Sequence, residues 1–360
     1  MLYIIYIFLT ILNIIHCAPE YILRERTPGK NLQKLSILTN SEKINGRAKI
    51  ENVEYLFVST LSNEEKASLS KDYIIEENHR ATINNPTVKF TWSWHLDRID
   101  QKTLPLSLTQ FKINHNTSNV DMYILDTGID IYHPEFSNNK ITWGANFMDD
   151  INRDCHGHGT HVASLAGGKE LGVAKNVNLI AVKVLGCEGW GSYSAIISAV
   201  EWVMAQAKVT KRTSIINMSL GGPVSEALNS AVRAAKKSGV HVVVAAGNED
   251  DLACNHSPAS AKEIITVAAS DSSDNRASFS NHGSCVDMYA PGVNVAGAWP
   301  NNQYKSISGT SMASPVAAGI LAVYLSKYGS KTGIKMFFGN LTNKVIKNNK
   351  PKTINKLVYI

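Results

Sequence analysis

Four polar residues from distant parts of the chain could together carry chemistry. Asp126 lies in the turn DTGID, His158 in CHGHGTHVASLAGG, Asn248 after VVVAAG, and Ser311 in SISGTSMASP. A serine hydroxyl is a weak nucleophile at neutral pH, so it needs a base to accept its proton and a third group to orient that base. His158 and Asp126 can fill those two roles for Ser311. The set predicts nucleophilic acyl transfer by an Asp-His-Ser triad.

The surroundings of Ser311 suit a developing negative charge. Gly309 and small residues precede AAGILAVYL, an apolar run typical of a buried helix. The N-terminus of a helix presents unpaired N–H groups and a partial positive charge. The amide of Asn248 would add a donor to the backbone N–H of Ser311 and so complete an oxyanion hole. Each residue alone is more often structural, so the prediction depends on the combination.

The elements that must position these residues form an alternating pattern. Five continuous apolar runs are typical of strands covered on both faces of a parallel sheet, at residues 120–125, 178–185, 214–220, 240–247 and 264–270. Helical patterns lie between them, at residues 194–208 and at 225–239, which ends in Gly239. This alternation predicts an α/β class with a doubly wound, mostly parallel sheet. In such sheets chemistry collects beyond the carboxyl ends of the strands, where Asp126 and Asn248 fall.

The N-terminal part of the chain has a different character. Residues 1–17 are largely apolar and meet small residues, which predicts a signal peptide cut after Cys17 or Ala18. The alternative is a membrane anchor, but a span needs about 20 apolar residues, and Asn13 and His16 interrupt this run. After removal of the leader we expect no membrane association and a secreted protein.

Residues 18–82 predict a small α+β unit. Runs at 53–60 and 72–77 indicate strands, and Ser62 with Glu65 predicts a capping box at the start of the helix between them. The stretch TINNPTVK then leads into a larger domain, residues 83–360.

The bulk composition excludes some functions and leaves others open. The 360 residues are 44% hydrophobic and 18% charged, which suits a globular protein. The net charge of +6 comes from scattered lysines, so we expect no nucleic-acid partner.

Four cysteines remain beyond the leader, and an even count in a secreted chain predicts two disulfides. Chain order favours Cys155 with Cys187 and Cys254 with Cys285, although three pairings are open and four buried thiols are an alternative.

The segments DTGID, HGTHVAS, NMSLGG, AAGN and SGTSMASP, in that order, resemble the subtilisin-like serine proteases, and most closely their secreted proteinase K-type branch. The resemblance covers residues 90–360, and the preceding unit is similar to the family's inhibitory propeptide. It implies that Asp126 is the orienting acid, His158 the base, Ser311 the nucleophile and Asn248 the oxyanion donor. It also implies that His161 packs, and that the disulfide pairing is the one favoured above.

The resemblance further assigns a substrate cleft. Strand residues 189–191, with Gly189 and Gly191, and residues 219–222 would pair with an extended peptide from either side. Ser219, Leu220 and Gly221 would line the first pocket together with Ala245, Ala246 and Gly247. These small and apolar walls predict cleavage after apolar or aromatic residues. The acidic run 249–251 is interpreted as a solvated loop, and the alternative is that it favours basic residues.

Further expectations follow from the same resemblance. No cofactor is needed for catalysis, and Asp287 falls near a position that supplies a calcium-binding carboxylate in relatives, with backbone oxygens from Lys262 and Ile264. Ser164 and Val316 depart from the family pattern of Gly and His, and we expect both to affect packing alone. A monomer acting on protein or peptide substrates is expected, with its own propeptide as an intramolecular inhibitor that is removed between about residues 79 and 90.

Two other functions compete with a protease. Esterases and lipases carry G-x-S-x-G with the acid and base after the serine. Here Ser311 lies in G-T-S-M-A and comes last, so the sequence disfavours that class. A catalytically silent binding protein would have no need for all four residues of the predicted site.

Overall fold

The structure is a computed structural model that describes residues 19–26, 43–50, 53–82, 87–88, 93–107, 111, 115–137 and 140–360. The predicted signal peptide lies outside the described residues, as does part of the predicted processing region, residues 83–86 and 89–90. Among the residues described, no helix combines the length and the apolar character needed to cross a membrane.

The N-terminal unit is a four-stranded antiparallel sheet with one short helix. Its elements are β1 (Tyr21–Glu25), β2 (Ile44–Ile50), β3 (Val53–Val58), α1 (Asn63–Leu69) and β4 (Tyr73–Glu77), with spatial order β2-β3-β1-β4. Helix α1 has the predicted capping box between Ser62 and Glu65. The predicted strands correspond to β3 and β4, whereas β1 and β2 lie in polar stretches that the apolar pattern did not mark.

The rest of the chain, from residue 80 onward, is built around one wide sheet. The first part of its chain contains β5 (Arg80–Thr82), β6 (Thr87–Val88), α2 (Trp94–Ile99), β7 (Val120–Asp126), β8 (Ile141–Asn146), α3 (His158–Gly167), β9 (Asn178–Lys183), β10 (Trp190–Ser192), α4 (Tyr193–Thr210) and β11 (Thr213–Met218). The second part contains β12 (Gly222–Pro223), α5 (Glu226–Lys237), β13 (His241–Ala245), β14 (His256–Ser257), β15 (Ile265–Ser270), β16 (Met288–Pro291), β17 (Val295–Trp299), β18 (Gln303–Ile307), α6 (Thr310–Gly339), β19 (Thr342–Asn343) and β20 (Lys356–Leu357).

The nine-stranded sheet has the order β19-β20-β16-β15-β13-β11-β7-β9-β8, and only the edge pair β19 and β20 is antiparallel. All five predicted strands are present in it. Helices α3 and α6 pack on one face, while α4 and α5 pack on the other. The fold is therefore the predicted doubly wound α/β class.

Strand β7 shows why the apolar runs are continuous. Met122 and Ile124 join the core under α3 and α6, whereas Tyr123 and Leu125 join the core under α4 and α5. Because successive side chains point to opposite faces, a strand covered on both sides needs an apolar residue at every position. The strand ends at Asp126, at the edge of the sheet, where a polar side chain can contact residues of the following loops.

A buried ion pair joins α2 to the large sheet's loops. Arg98 is fully buried and donates from Nε to Asp274 Oδ1 at 2.6 Å and from Nη2 to Asp274 Oδ2 at 3.0 Å. Its Nη1 donates to the carbonyl of Gln101 at 2.7 Å. The guanidinium thus depends on Asp274 for its countercharge.

We expect Asp274→Asn to lower the free energy of unfolding by about 3 kcal/mol, because it leaves a buried guanidinium without an opposite charge. Asparagine tolerates the positive φ of 63° at this position, so backbone strain does not contribute. Glu263→Gln is the matched control, since Glu263 also has a positive φ but its pair with Lys236 is exposed. That change should cost under about 1 kcal/mol in denaturant unfolding, and equal losses for the two variants would contradict the prediction.

Candidate active site

The carboxylate and the imidazole of the predicted triad are in direct contact. Asp126 ends β7 and His158 begins α3, and both side chains are fully buried. His158 Nδ1 and Asp126 Oδ1 are 2.7 Å apart, and the backbone N–H of Thr127 donates to the same oxygen at 2.7 Å. A carboxylate at Nδ1 fixes the proton on that nitrogen, which leaves Nε2 as the basic atom of the ring.

The close approach of α3 to β7 requires a glycine beside the histidine. A Cβ at Gly159 would lie 2.1 Å from the carbonyl oxygen of Gly128 and 3.1 Å from the Cβ of Asp126. The glycine of HGTH therefore allows the helix start to rest against the turn that carries the carboxylate.

The loop before His158 is organised by a residue that sequence reasoning missed. Asp154 is 5% exposed, and its Oδ1 accepts from the backbone N–H groups of His156 at 3.0 Å and Gly157 at 2.7 Å. Its Oδ2 accepts from the N–H and the hydroxyl of Thr160, at 2.9 and 2.6 Å.

The same carboxylate also reaches the turn after β7. Thr127 Oγ1 donates to Asp154 Oδ1 at 2.9 Å and accepts from the N–H of Gly159 at 2.9 Å. Asp154 thus connects the turn that carries Asp126 to the helix start that carries His158. The only sequence signal was an acidic residue shortly before a helix start, a common capping pattern.

Ser311 lies in the first turn of α6 and exchanges hydrogen bonds with Ser219. Ser311 Oγ donates to the carbonyl oxygen of Ser219 at 3.1 Å, and Ser219 Oγ donates to the carbonyl oxygen of Ser311 at 2.9 Å. In a regular helix that second carbonyl would accept from the residue four positions on, but Pro315 has no N–H to give. The hydroxyl of Ser219 supplies the missing donor.

The hydroxyl of Ser219 is itself held in place by buried neighbours. Asn217 Nδ2 donates to Ser219 Oγ at 3.0 Å, and Ser314 Oγ donates to Asn217 Oδ1 at 2.7 Å. Ser219 is fully buried beside the nucleophile and does not line the pocket, where it was predicted. Its backbone carbonyl accepts from Ser311 Oγ, so the segment of residues 219–222 lies against the start of α6.

Asn248 is fixed by the residue before the nucleophile. Its Oδ1 accepts from the N–H of Thr310 at 2.8 Å and from the hydroxyl of Thr310 at 3.0 Å. The same hydroxyl accepts from the N–H of Gly247 at 3.1 Å. Because the amide oxygen is held on α6, the amide nitrogen of Asn248 points away from Thr310. Thr310 is a second site residue that the sequence reasoning did not single out.

The pocket beside these groups is lined by small and apolar residues together with polar ones. Leu220, Gly221, Ala245, Ala246 and Gly247 line it, as does Asn248. It is further lined by Thr82, Gly222, Glu249, His256, Ser257, Ala259, Thr310 and Ser311.

The acidic run beside the pocket is engaged by its own partners. Asp250 pairs with Arg276 at 2.7 Å, and Asp251 pairs with His256 at 3.1 Å. Glu249 accepts from Asn281 Nδ2 at 2.7 Å. Arg276 thus neutralises Asp250, while Glu249 and Asp251 have carboxylate oxygens occupied by hydrogen bonds with Asn281 and His256.

A strand from the N-terminal part of the chain lies in the predicted cleft. Strand β5 pairs antiparallel with β10, so that Ala81 lies opposite Gly191. On its other side the N–H of Thr82 donates to the carbonyl of Gly221 at 2.9 Å, in an antiparallel bridge. A Cβ at Gly191 would meet the carbonyl oxygen of Val184 at 2.0 Å, so only glycine fits there. Gly189, with φ of 72°, precedes the strand at a turn.

Both predicted disulfides are confirmed. Cys155 is bonded to Cys187, with Cα atoms 5.0 Å apart, and Cys254 to Cys285, at 5.3 Å. The first joins the loop before His158 to the segment before Gly189, and the second closes the loop that follows Asn248.

The other positions singled out in the sequence, His161, Ser164 and Asp287, make hydrogen bonds within the fold. His161 donates from Nε2 to the carbonyl oxygen of Lys305 at 3.1 Å, and burial lowers the pKa of its imidazole to about 3. Ser164 bridges the carbonyl of His161 and the N–H of Ala298. Asp287 is partly buried, burial raises its pKa to about 6, and it accepts from the N–H of Thr266 at 2.8 Å. Within the described ranges, no three metal-binding side chains are grouped together.

A buried carboxylate–imidazole pair and a serine at a helix start lie at the carboxyl edge of a doubly wound sheet, and this arrangement, in the chain order Asp, His, Ser, resembles that of the subtilisin-type serine hydrolases. Comparison with known proteins specifies the family. Residues 118–355 match the model of the subtilase family, Peptidase S8, and the chain belongs to that family.

Individual relatives agree with this assignment. The chain is 45% identical over 283 residues to alkaline serine exoprotease A of Vibrio alginolyticus, covering 76% of this chain and 52% of that protein. It is 44% identical over 276 residues to subtilisin-like protease 6 of Arthroderma gypseum, covering 74% and 67%. The chain thus spans about half to two thirds of the length of these relatives.

A solved structure shows the same fold. The crystal structure of a cold adapted subtilisin-like serine proteinase superposes with a TM-score of 0.69 at 43% identity, covering 74% of this chain and 97% of that one. The predicted resemblance to subtilisin-like proteases is confirmed.

We expect Asp154→Asn to lower kcat by about 10- to 100-fold, because a misplacement of reacting groups by about 1 Å can cost a factor of this size. The amide cannot accept all the bonds that the carboxylate accepts, so the start of α3 loses its fixed position against Asp126. KM should change much less, and steady-state kinetics on a peptide substrate would measure both. Asp150→Asn, an exposed change in the same loop, is the control, and equal kcat values for the two variants would contradict the role of Asp154.

Proposed function

We propose that the protein is a secreted serine endopeptidase that is made as a precursor and processes itself. The observation that carries the proposal is the contact of 2.7 Å between His158 Nδ1 and Asp126 Oδ1, at the sheet edge where α6 presents Ser311. Family membership supports the same reaction class.

The first step is acylation of the serine. Nε2 of His158 takes the proton of Ser311 while Oγ attacks the carbonyl carbon of the scissile peptide bond. In this structure Ser311 Oγ donates to the carbonyl of Ser219, and in the proposed step the same proton goes to the imidazole. Asp126 stabilises the imidazolium that forms.

The tetrahedral intermediate carries a negative oxygen that needs fixed donors. The amide nitrogen of Asn248 and the backbone N–H of Ser311 are the proposed pair. The imidazolium of His158 then protonates the departing amine, and an acyl-enzyme remains. A water molecule, deprotonated by the same ring, then attacks the ester carbonyl of the acyl-enzyme. The ester bond breaks, the carboxylic acid product leaves, and the imidazolium returns the proton to Ser311 Oγ.

The pocket supports a preference for apolar or aromatic side chains. Its walls are formed by small residues such as Ala245, Ala246 and Gly221, and none of these opposes an apolar ligand. A preference for basic residues is less supported, because Asp250 and Asp251 are already paired with Arg276 and His256.

Residues 18–82 are proposed to be the inhibitory propeptide, and residues 83–360 the peptidase domain. Glu76 supports this division, since it accepts from Ser225 Oγ at 2.6 Å and from the N–H of Ala227 at 3.0 Å, at the N-terminus of α5. Asn78 exchanges hydrogen bonds with Ser194 in the first turn of α4. Strand β5 then blocks the cleft. Docking onto both helices would also help the parallel sheet to form, since long-range strand pairing is slow.

A structural calcium ion is part of the proposal. The family resemblance assigns it to Asp287, a partly buried carboxylate, together with backbone oxygens of Lys262 and Ile264. Calcium prefers such oxygen ligands and would add rigidity between β15 and the segment before β16. It would take no part in peptide hydrolysis.

The reaction and the self-processing are tested by Ser311→Ala. The variant should accumulate as an uncut precursor, should not cleave casein and should not bind a serine-directed fluorophosphonate, because each of these steps needs the same hydroxyl. Ser273→Ala, an exposed serine, is the matched control and should behave as the wild type.

Two outcomes would contradict the proposal. A wild-type protein that neither cleaves casein nor reacts with the fluorophosphonate would be a silent binding protein. Maturation of purified Ser311→Ala in isolation would show that self-processing is wrong.

We expect Asn248→Ala to lower kcat by about 10²- to 10³-fold with a small change in KM, a size measured for the same type of group in a subtilisin. Thr310→Ala should cost less, because Asn248 keeps its bond to the backbone N–H of residue 310. Steady-state kinetics on one peptide substrate would rank the two variants. A kcat for Asn248→Ala within threefold of the wild type would remove this residue from the oxyanion site.

A further inference from the structure

An aromatic ring on the rim of the cleft is covered by a cation. The guanidinium carbon of Arg80, in β5, lies 3.7 Å from the centroid of the Trp190 ring, in β10. Arg80 is exposed and Trp190 is partly buried. The distance is within the range in which the ring quadrupole attracts a cation.

The strand register explains the contact. In the antiparallel pair, Trp190 lies opposite Thr82 and Ser192 lies opposite Arg80. Residues opposite each other share a face, so Arg80 and Trp190 are diagonal neighbours on one side of the ladder. Ala81 and Gly191 occupy the other side, where Ala81 is fully buried. An extended peptide in this register must therefore present its residue at the Arg80 position to the tryptophan.

The register is set by contacts that any peptide backbone can make. The N–H of Thr82 bonds to the carbonyl of Gly221, and the opposite edge pairs with β10. None of these contacts depends on the side chain of residue 80. A substrate that replaces β5 would bond to Gly221 through one residue. The substrate residue two positions earlier in the chain would then lie over Trp190.

We infer that Trp190 is a specificity-determining residue that selects a basic side chain in the substrate, at the position two residues before the one that pairs with Gly221. The inference rests on the proposed peptidase function and extends it to a second substrate position, away from the pocket. In this mechanism the aromatic ring of Trp190 attracts the basic side chain. The alternative is attraction by an acidic group, and the acidic residue nearest in sequence to Trp190 is the exposed Glu188.

The test uses mature enzyme and a peptide of residues 76–90, EENHRATINNPTVKF. Arginine at position 80 is compared with citrulline, which keeps the shape but lacks the charge, and with norleucine. Cleavage is followed by mass spectrometry to give kcat/KM. A cation–π contact at an exposed site contributes about 0.5–1 kcal/mol, so the arginine peptide should be preferred over citrulline by roughly two- to fivefold.

Variants identify the group responsible. The ratio of kcat/KM for arginine to citrulline should fall to about one in Trp190→Ala, and much of it should remain in Trp190→Phe. Any general loss of activity cancels in this ratio. Glu188→Gln is the matched control, since it changes a charge beside the strand but leaves the ring, and it should keep the preference.

The outcomes separate this inference from the proposed function. If casein is cleaved but the wild type shows no preference for arginine, or cleaves none of the peptides, the inference is wrong and the peptidase function stands. A preference that survives Trp190→Ala or disappears in Glu188→Gln also overturns it. Loss of casein cleavage and of fluorophosphonate labelling would instead overturn the proposed function.

Discussion

The reciprocal hydrogen bonds between Ser219 and Ser311 are the contact on which the arrangement of the cleft depends. They join the segment that follows β11, beside the pocket, to the helix that carries Ser311. Pro315 makes the second bond necessary, because it removes the N–H that would have satisfied the carbonyl of Ser311. A buried carbonyl without a donor is costly, so the helix start is stable only where the hydroxyl of Ser219 meets it. The position of Ser311 is thereby set by the end of β11 and not by α6 alone.

The parts of this molecule that sequence predicts well are those with a strong local signal. The run at residues 120–125 is apolar at nearly every position because both faces of β7 are covered, and this pattern by itself places Asp126 at a strand end. The triad candidates follow from that placement and from motif order. In contrast, β8 contains Gly144 and a polar Thr142, and β16 has only four residues, so neither carries a pattern that distinguishes it from a loop.

Contacts across long sequence separations account for what was missed. Asp154 and Thr310 are ordinary polar residues in sequence, and their roles arise only when the turn after β7 meets α3 and when Asn248 meets α6. Ser219 was placed in the pocket by the family resemblance, but its hydroxyl donates to the carbonyl of Ser311 at the start of α6. The sequence alone does not show that Asp250 and Asp251 have partners, because Arg276 and His256 meet them only in the folded structure.

The two disulfides occur where the sheet itself offers least restraint. Backbone ladders fix the strand ends that carry Asp126 and Asn248, but the loop before His158 and the loop after Asn248 leave the sheet and have fewer such bonds. Segments of this kind open locally at lower free energy than core strands. Cys155–Cys187 restrains the first loop against the segment leading to Gly189, and Cys254–Cys285 restrains the second beside the pocket. Since the first crosslink lies three residues from His158 and two from Gly189, it couples the position of His158 to that of β10. The disulfides thus hold His158, Asn248 and β10 in fixed relative positions, although these residues belong to different elements of the fold.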